Sequence, residues 1–328
     1  MRILITGGSG FLGTLLARRL LAAPVGVGGS APAEVTELVL LDVVAPADDL
    51  ARDPRVTAVV GSLDDARVLG GIGHASGQGE PDAVVHLAGV VSGAAEVDLD
   101  AGLRGNLDGL RALLDTARRW RTPPVLLFSS SLAVFGRDPA LAPLGVIADD
   151  TLPTPQSSYG IQKLIGEHLV TDYTRRGLVR GRSVRLMTVA VRPGRPNAAA
   201  SSFLSGIIRE PLAGARAVCP VDPDMPVALS SPSTTLAGLL RALEVDDATW
   251  GSTTAMSLPA LTTTPREMVA ALERVGGPEA AALVGWIPDP AVEAIVGTWP
   301  SRFHTHRAAA LGLAPVASFD AVIEEFLA

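Results

Sequence analysis

Residues 2–6, RILIT, form a short apolar run, and the glycine-dense GGSGFLG follows without a break before the amphipathic LLARRLLAA. That order predicts strand, tight turn and helix. Glycines fall in G-x-G-x-x-G spacing at Gly8, Gly10 and Gly13, and in a looser spacing at Gly7, Gly10 and Gly13. At such positions the missing side chains permit a sharp turn, close approach of backbone to a pyrophosphate, and tight packing of helix on strand. A chain that opens this way commits its first strand to a parallel α/β sheet and presents a helix N-terminus to a dinucleotide.

The next strand, ELVLLD, ends in Asp42. A carboxylate there hydrogen-bonds the adenosine ribose hydroxyls and repels the 2′-phosphate of NADP, so the expected cofactor is NAD. The plainer alternative is a carboxylate that merely ends a strand. Asp42 lies further from the glycines than usual because residues 24–37, PVGVGGSAPAEVTE, lengthen the connection, which reads as a flexible surface loop.

A third feature is chemical. The chain has one lysine, Lys163, and two tyrosines, of which Tyr159 stands four residues before that lysine in YGIQK. Residues i and i+4 share one helix face, so the ammonium acts on the surroundings of the phenol. A free Tyr has a pKa near 10, and a nearby positive charge moves it toward use as a base. The bland alternative is a surface helix pair.

Together with VVHLAG (84–89), NLDGLRALLDTAR (106–118) and LLFSSSLAVFG (126–136), these features resemble the extended short-chain dehydrogenase/reductases, the NAD-dependent epimerase/dehydratase family, over nearly the whole chain. The resemblance implies a Rossmann-type, doubly wound parallel sheet with a smaller C-terminal substrate lobe. It places NAD along Gly7, Gly10, Phe11, Leu12, Gly13, Asp42, Ser62, Leu63, Leu87, Ala88, Gly89, Asn106, Ser129, Tyr159, Lys163 and Val191. Ser131, third of the three serines, joins Tyr159 and Lys163 as the catalytic set. Asn106 helps hold the active site or serves only as a helix N-cap. Ser129 and Ser130 also suit satisfaction of backbone groups at a strand end, and His86 suits a packed strand residue better than a base, since nothing orients it. Two departures stand out: Gly61-Ser62-Leu63 lacks the Asp common in the family after that glycine, and Val134-Phe135-Gly136 replaces the usual Val-Tyr-Gly.

The alternation of strands and helices runs to about residue 191, and then the texture turns to RPGRPNAAASSFLSGIIREPLAG, rich in Pro, Arg, Ser and Gly. The family pattern therefore assigns residues 1–191, with 227–245 returning, to the NAD-binding domain, and 192–226 with 246–328 to the substrate lobe. TTTPREMVAALERVG and SFDAVIEEFLA read as capped helices of that lobe. Leu132 and Ala133 stand where the family's dehydratases have an Asp-Glu pair, which argues against dehydration. The loop after residue 191, with AVCPV, is similar to the D-erythronate dehydrogenase subfamily, which oxidises the C2 hydroxyl of a four-carbon sugar acid. An aldonate carboxylate suits a bidentate Arg. Arg192 and Arg195 are candidates, with the loop residue Arg195 the more accessible and Arg192 also suited to a strand-end ion pair; Ser92, Asn197 and Ser201 are neutral donors beside Ser131 and Tyr159. Two other readings stay open: a nucleotide-sugar 4-epimerase that retains NAD, and a non-catalytic dinucleotide-sensing protein.

Composition bounds the partners. A formal net charge of −7 without a basic run argues against nucleic acid. Apolar residues make up 48%, yet their runs are too short to span a membrane. Met1 leads directly into the first strand, so no signal peptide is expected, and the single Cys219 excludes an internal disulfide. His304 and His306 suit a surface or helix-entry role rather than a metal, and no metal site is expected. The expected protein is a cytoplasmic homodimer acting on a small sugar acid. The resemblance implies pairing through the helix after the fourth strand and the Tyr159/Lys163 helix, and the stripe Leu103, Leu107, Leu110 and Leu114 on the former suits either that pairing or packing against the sheet.

Overall fold

The computed structural model describes residues 1–72 and 79–328. Its strands are β1 (Arg2–Thr6), β2 (Glu37–Asp42), β3 (Val56–Val60), β4 (Ala83–His86), β5 (Val125–Ser131), β6 (Arg180–Leu186), β7 (Thr188–Val189), β8 (Ala217–Cys219), β9 (Val227–Ser230), β10 (Met256–Ser257), β11 (Leu261–Thr263) and β12 (Val284–Trp286). The helices of nine residues or more are α1 (Phe11–Ala22), α2 (Gly109–Ala117), α3 (Ser158–Arg175), α4 (Phe203–Leu212), α5 (Pro232–Glu244), α6 (Pro265–Gly276) and α7 (Phe319–Leu327).

Seven strands form a parallel sheet in the order β3-β2-β1-β4-β5-β6-β10. Successive side chains of a strand point to opposite faces, so a strand buried on both faces feeds two cores at once. Ile3 and Ile5 of β1, Leu38 and Leu40 of β2, and Val125 and Leu127 of β5 pack on one side with Leu16 and Leu20 of α1 and Leu239 and Leu243 of α5. Their neighbours Leu4, Val39, Leu126 and Phe128 pack on the other side with Leu110, Leu113 and Leu114 of α2 and Val170 of α3. That alternation is why the strands read as unbroken apolar runs. Strand order reverses between β1 and β4, and the crevice opens above their carboxyl ends, where such sheets bind ligands.

The smaller lobe has its own core, in which Leu204, Ile207 and Ile208 of α4 meet Met268 and Leu272 of α6 and Phe319, Val322 and Ile323 of α7. Thr264 and Glu267 form a reciprocal capping box before α6, and Ser318 caps α7, as their sequences suggest. β9 pairs with β7 and β11 in a three-stranded sheet, so the returning segment reaches the large core only from α5 onward.

Three sequence expectations need correction here. The sheet does not stop at the boundary expected at 246: β10 adds a seventh strand, and Trp250, Met256 and Leu258 join the large core together with Ala308 and Leu311. Residues 24–37 are not a loose loop. Val25, Val27 and Val35 are buried, Val25 bridges Ala33, and the Gly28 and Gly29 N–H groups donate to the Leu243 and Glu244 carbonyls at the end of α5. These two glycines satisfy a helix C-terminus that needs donors. Finally, Leu110 and Leu114 of the leucine stripe lie wholly inside the core, so of its two readings it is packing against the sheet that holds for them and not an outer pairing face.

Candidate active site

A cavity of about 700 Å³ runs along the carboxyl ends of β1, β2, β4 and β5. Its first wall is the turn after β1. Gly7 has φ +71°, and a Cβ there would come within 2.6 Å of the Ala88 nitrogen; one at Gly13 would run into the Gly7 carbonyl. The working glycines are therefore Gly7, Gly10 and Gly13, which all line the cavity with Phe11 and Leu12. Asp42 closes this end, its carboxylate accepting the Ser9 N–H at 3.0 Å and the Val44 N–H at 3.4 Å, and Ser62, Leu63, Leu87, Ala88 and Gly89 continue the wall. A cradle that any side chain would fill, ending in a carboxylate, fits the diphosphate and adenosine ribose of NAD.

The three serines of β5 meet α3 one turn at a time. Ser131 stands beside Tyr159, near enough to oppose the rise of its pKa, and both line the cavity. One turn on, the Lys163 Nζ donates to the Ser129 carbonyl at 2.8 Å. A further turn on, Ser130 donates to Glu167 at 2.5 Å, and Arg185, directly opposite Ser130 on β6, holds both Glu167 oxygens at 2.8 and 2.7 Å. Ser129 satisfies the His86 carbonyl, as a strand-end serine does, whereas Ser130 binds a side chain instead of backbone. Ser157 caps α3 by accepting the Gly160 N–H, and Glu96 accepts the Ser158 N–H, which fixes where the helix begins and so where Tyr159 stands.

His86 is fully buried, bonded to Thr6 at 2.6 Å and stacked on Phe128; burial first and the Lys163 charge second push it down to about 3, so it is a neutral packing residue. Asn106 is no N-cap. It sits inside a π-helical turn, Arg104–Asp108, which turns its amide inward to pair with both backbone groups of Val90 and with Gln162 at 2.7 Å. It stands behind the cavity wall and ties the β4 loop to α3.

Burial pushes Tyr159 up to about 12, opposed by the Ser131 hydroxyl and then by the charge of Arg192. Arg192 is the cation that opposes the rise, while the Lys163 ammonium is turned onto the Ser129 carbonyl and lies over the Tyr159 ring, 5.6 Å from its centre. Burial lowers Lys163 to about 8, and Glu167 counters part of that fall.

On the far side, Ser92, Arg192, Asn197 and Ser201 line the cavity. Arg192 forms no ion pair among the described residues: it reaches Asn197 at 3.4 Å, and its backbone is held by Ser205 and Arg209. Burial, then the neighbouring Arg209 charge, lowers its pKa. Arg195 is exposed and outside the lining. Val191 is also outside it, packed in the core of the smaller lobe, and the wall is built instead by Leu186, Met187, Thr188 and Val189. Sequence reading missed Trp299, which reaches the cavity from the C-terminal segment and packs with Leu132 and Met187, and Arg104 on the π-helical turn. Neither lies in a motif, so only the fold reveals them. Among the described residues no group of His, Cys, Asp or Glu could hold a metal, His306 opens a short helix, and no helix is long and apolar enough to cross a membrane.

The chain matches the NAD dependent epimerase/dehydratase family over residues 3–224. It is 49% identical to the D-erythronate dehydrogenase of Cupriavidus necator, over 100% of this chain and 98% of that one. It is 39% identical to the D-erythronate dehydrogenase of Haemophilus influenzae, over 100% and 99% of the two chains. Among solved structures, a nucleoside-diphosphate-sugar epimerase from Agrobacterium tumefaciens superposes with a TM-score of 0.87 at 36% identity, covering 100% of this chain and 93% of that one. L-threonine 3-dehydrogenase from Trypanosoma brucei, at 23% identity, TM-score 0.85 and coverage of 99% and 95%, shares the fold.

Proposed function

Because the chain belongs to the NAD-dependent epimerase/dehydratase family and is an NAD-dependent oxidoreductase, we propose that it oxidises the C2 hydroxyl of D-erythronate to 2-dehydro-D-erythronate, as a cytoplasmic homodimer. The observation that carries this reading is Arg192, a guanidinium in the cavity wall with no carboxylate partner among the described residues and close enough to Tyr159 to act on its charge. An aldonate supplies the missing carboxylate one bond from the carbinol, and Arg takes it in a bidentate pair. Full-length likeness to two D-erythronate dehydrogenases supports the same substrate.

In this reading Tyr159, as the phenolate, takes the C2 hydroxyl proton while Ser131 donates a hydrogen bond to the same oxygen. NAD⁺ held along the glycine turn and Asp42 would supply the hydride acceptor that turns the C2 carbinol into a ketone. Lys163 faces the cofactor ribose with its Nζ anchored on the Ser129 carbonyl, and Arg192 orients the carboxylate so that C2 meets Tyr159. A phenol at about 12 gives up its proton reluctantly, so the cations around the bound substrate assist the step. Incubation with NAD⁺ and either sugar acids or UDP-sugars tests the reading. Net NADH from D-erythronate is expected. Turnover of UDP-sugars with no net NADH from any sugar acid would make the protein an epimerase and sink the proposal.

A further inference from the structure

Glu167 lies outside the cavity, yet its carboxylate is held by three donors from two strands: the Ser130 hydroxyl at 2.5 Å and two nitrogens of Arg185 at 2.8 and 2.7 Å. Both ions are almost fully buried, at 5% and 7% side-chain exposure, and the guanidinium also rests on the Phe135 ring, 4.7 Å from its centre. Burying such a pair contributes little net stability, since desolvation offsets most of the Coulomb gain, and a packed apolar pair often does as well. Stability alone is a weak reason for charges here. Their position supplies a better one, because Glu167 follows Lys163 by one helical turn on the same face of α3, and Ser130 adjoins the two serines that Lys163 and Tyr159 engage.

We propose that Glu167 is a positioning residue that keeps Lys163 in its ammonium form and, through Ser130, locks the end of β5 that presents Ser131. The groups facing Lys163 from the packed elements are few. Tyr159 and Glu167 come from α3, and neutral His86 comes from β4; Arg185 of β6 acts through the carboxylate it binds. Asn106 and Gln162 nearby carry no charge. Among these, Glu167 is the anion. Burial lowers the lysine and this carboxylate counters part of the fall, leaving it at about 8.

The inference rests on the catalytic set above for its kinetic meaning, but it can be tested without any substrate. Lys163 is the only lysine in the chain, so protein labelled with ¹³C at the lysine ε-carbon gives one NMR signal whose titration reports its pKa directly. A unit charge about 6 Å away at an effective dielectric of about 20 is worth on the order of two pH units, and the bound guanidinium offsets part of that. Glu167→Gln, which removes the anion and leaves the guanidinium in place, is therefore expected to lower the midpoint by about two units from the wild-type value, with the alkaline limb of the kcat/KM profile moving the same way. Glu167→Asp, which keeps the charge, is expected to restore most of it. An unchanged midpoint in the Gln variant, or an equal fall in the Asp variant, overturns the proposal. If Glu167→Gln does not fold, the double variant Glu167→Gln/Arg185→Met leaves no buried unpaired charge and carries the same test. A smaller fall, of about one unit, is expected there because the opposing guanidinium goes with the carboxylate, and an unchanged midpoint overturns the idea. A failure of D-erythronate turnover would leave these titrations unaffected, so the two readings fail separately.

Discussion

Arg192 and Arg195 lie three residues apart, and sequence reading gives the better access to Arg195, yet it is Arg192 that reaches the cavity. Arg192→Ala should therefore lower kcat/KM for the sugar acid by roughly one to two orders of magnitude, the worth of a charge-assisted contact of about 1.5–3 kcal/mol. Because Arg192 also opposes the upward shift of Tyr159, kcat should fall as KM rises, and the rate should need a higher pH to recover. Its melting temperature should hold, since no ion pair among the described residues is broken. Arg195→Ala, at an exposed position, should change neither kcat/KM nor stability appreciably, within about 0.5 kcal/mol. Equal effects of the two substitutions would put the carboxylate elsewhere. Tyr159 and Lys163 were legible because their relation is local, one helical turn apart. Trp299 and the Ser130–Glu167–Arg185 contacts were not, because folding rather than spacing brings them together.

At the level of elements, the strand ends carry the chemistry and their sequences announced it. Asp42 does more than the strand-end reading assigns, since its carboxylate also accepts the Ser9 N–H and so braces the glycine turn against β2. Asp42→Ala should weaken NAD binding through both losses and relax discrimination against NADP, because the repulsion of a 2′-phosphate goes with the charge. Dissociation constants for the two cofactors check this, and a wild type that prefers NADP would contradict the assignment. What the sequence hid at this scale were contacts that satisfy backbone over long separations. Gly28 and Gly29 looked like linker glycines but are donors to the end of α5, and Arg180 anchors the same turn at the Gly28 carbonyl. The π-helical turn was invisible for a related reason: Asn106 enforces it by pairing with Val90 and Gln162, neither of which is near in sequence.

For the whole molecule, the two cores were foreseeable from continuous apolar strands, while the seventh strand was not, because Met256 and Ser257 are too short a stretch to read as one. The same burial analysis redirects the expectation of a dimer. Leu110 and Leu114 are spent on the core, so a partner would have to use what α3 and its neighbours leave outside. Ile161 and Ile165, one turn apart on α3, are 47% and 41% exposed, and Val97 and Leu99 from the short helices packed beside α3 are 91% and 55% exposed. A self-complementary pairing about a two-fold axis would bury these apolar side chains against their own copies, which is how a single patch suffices for both subunits. Ile161 and Ile165 face away from the side of α3 that carries Lys163 and Glu167, so replacing both with Glu should split the dimer while leaving the cavity intact. Light scattering at micromolar concentration is expected to give a dimer for the wild type and a monomer for Ile161→Glu/Ile165→Glu, with NAD still bound. A wild-type monomer under those conditions, or a variant that remains dimeric, would show that this face is not the one that pairs.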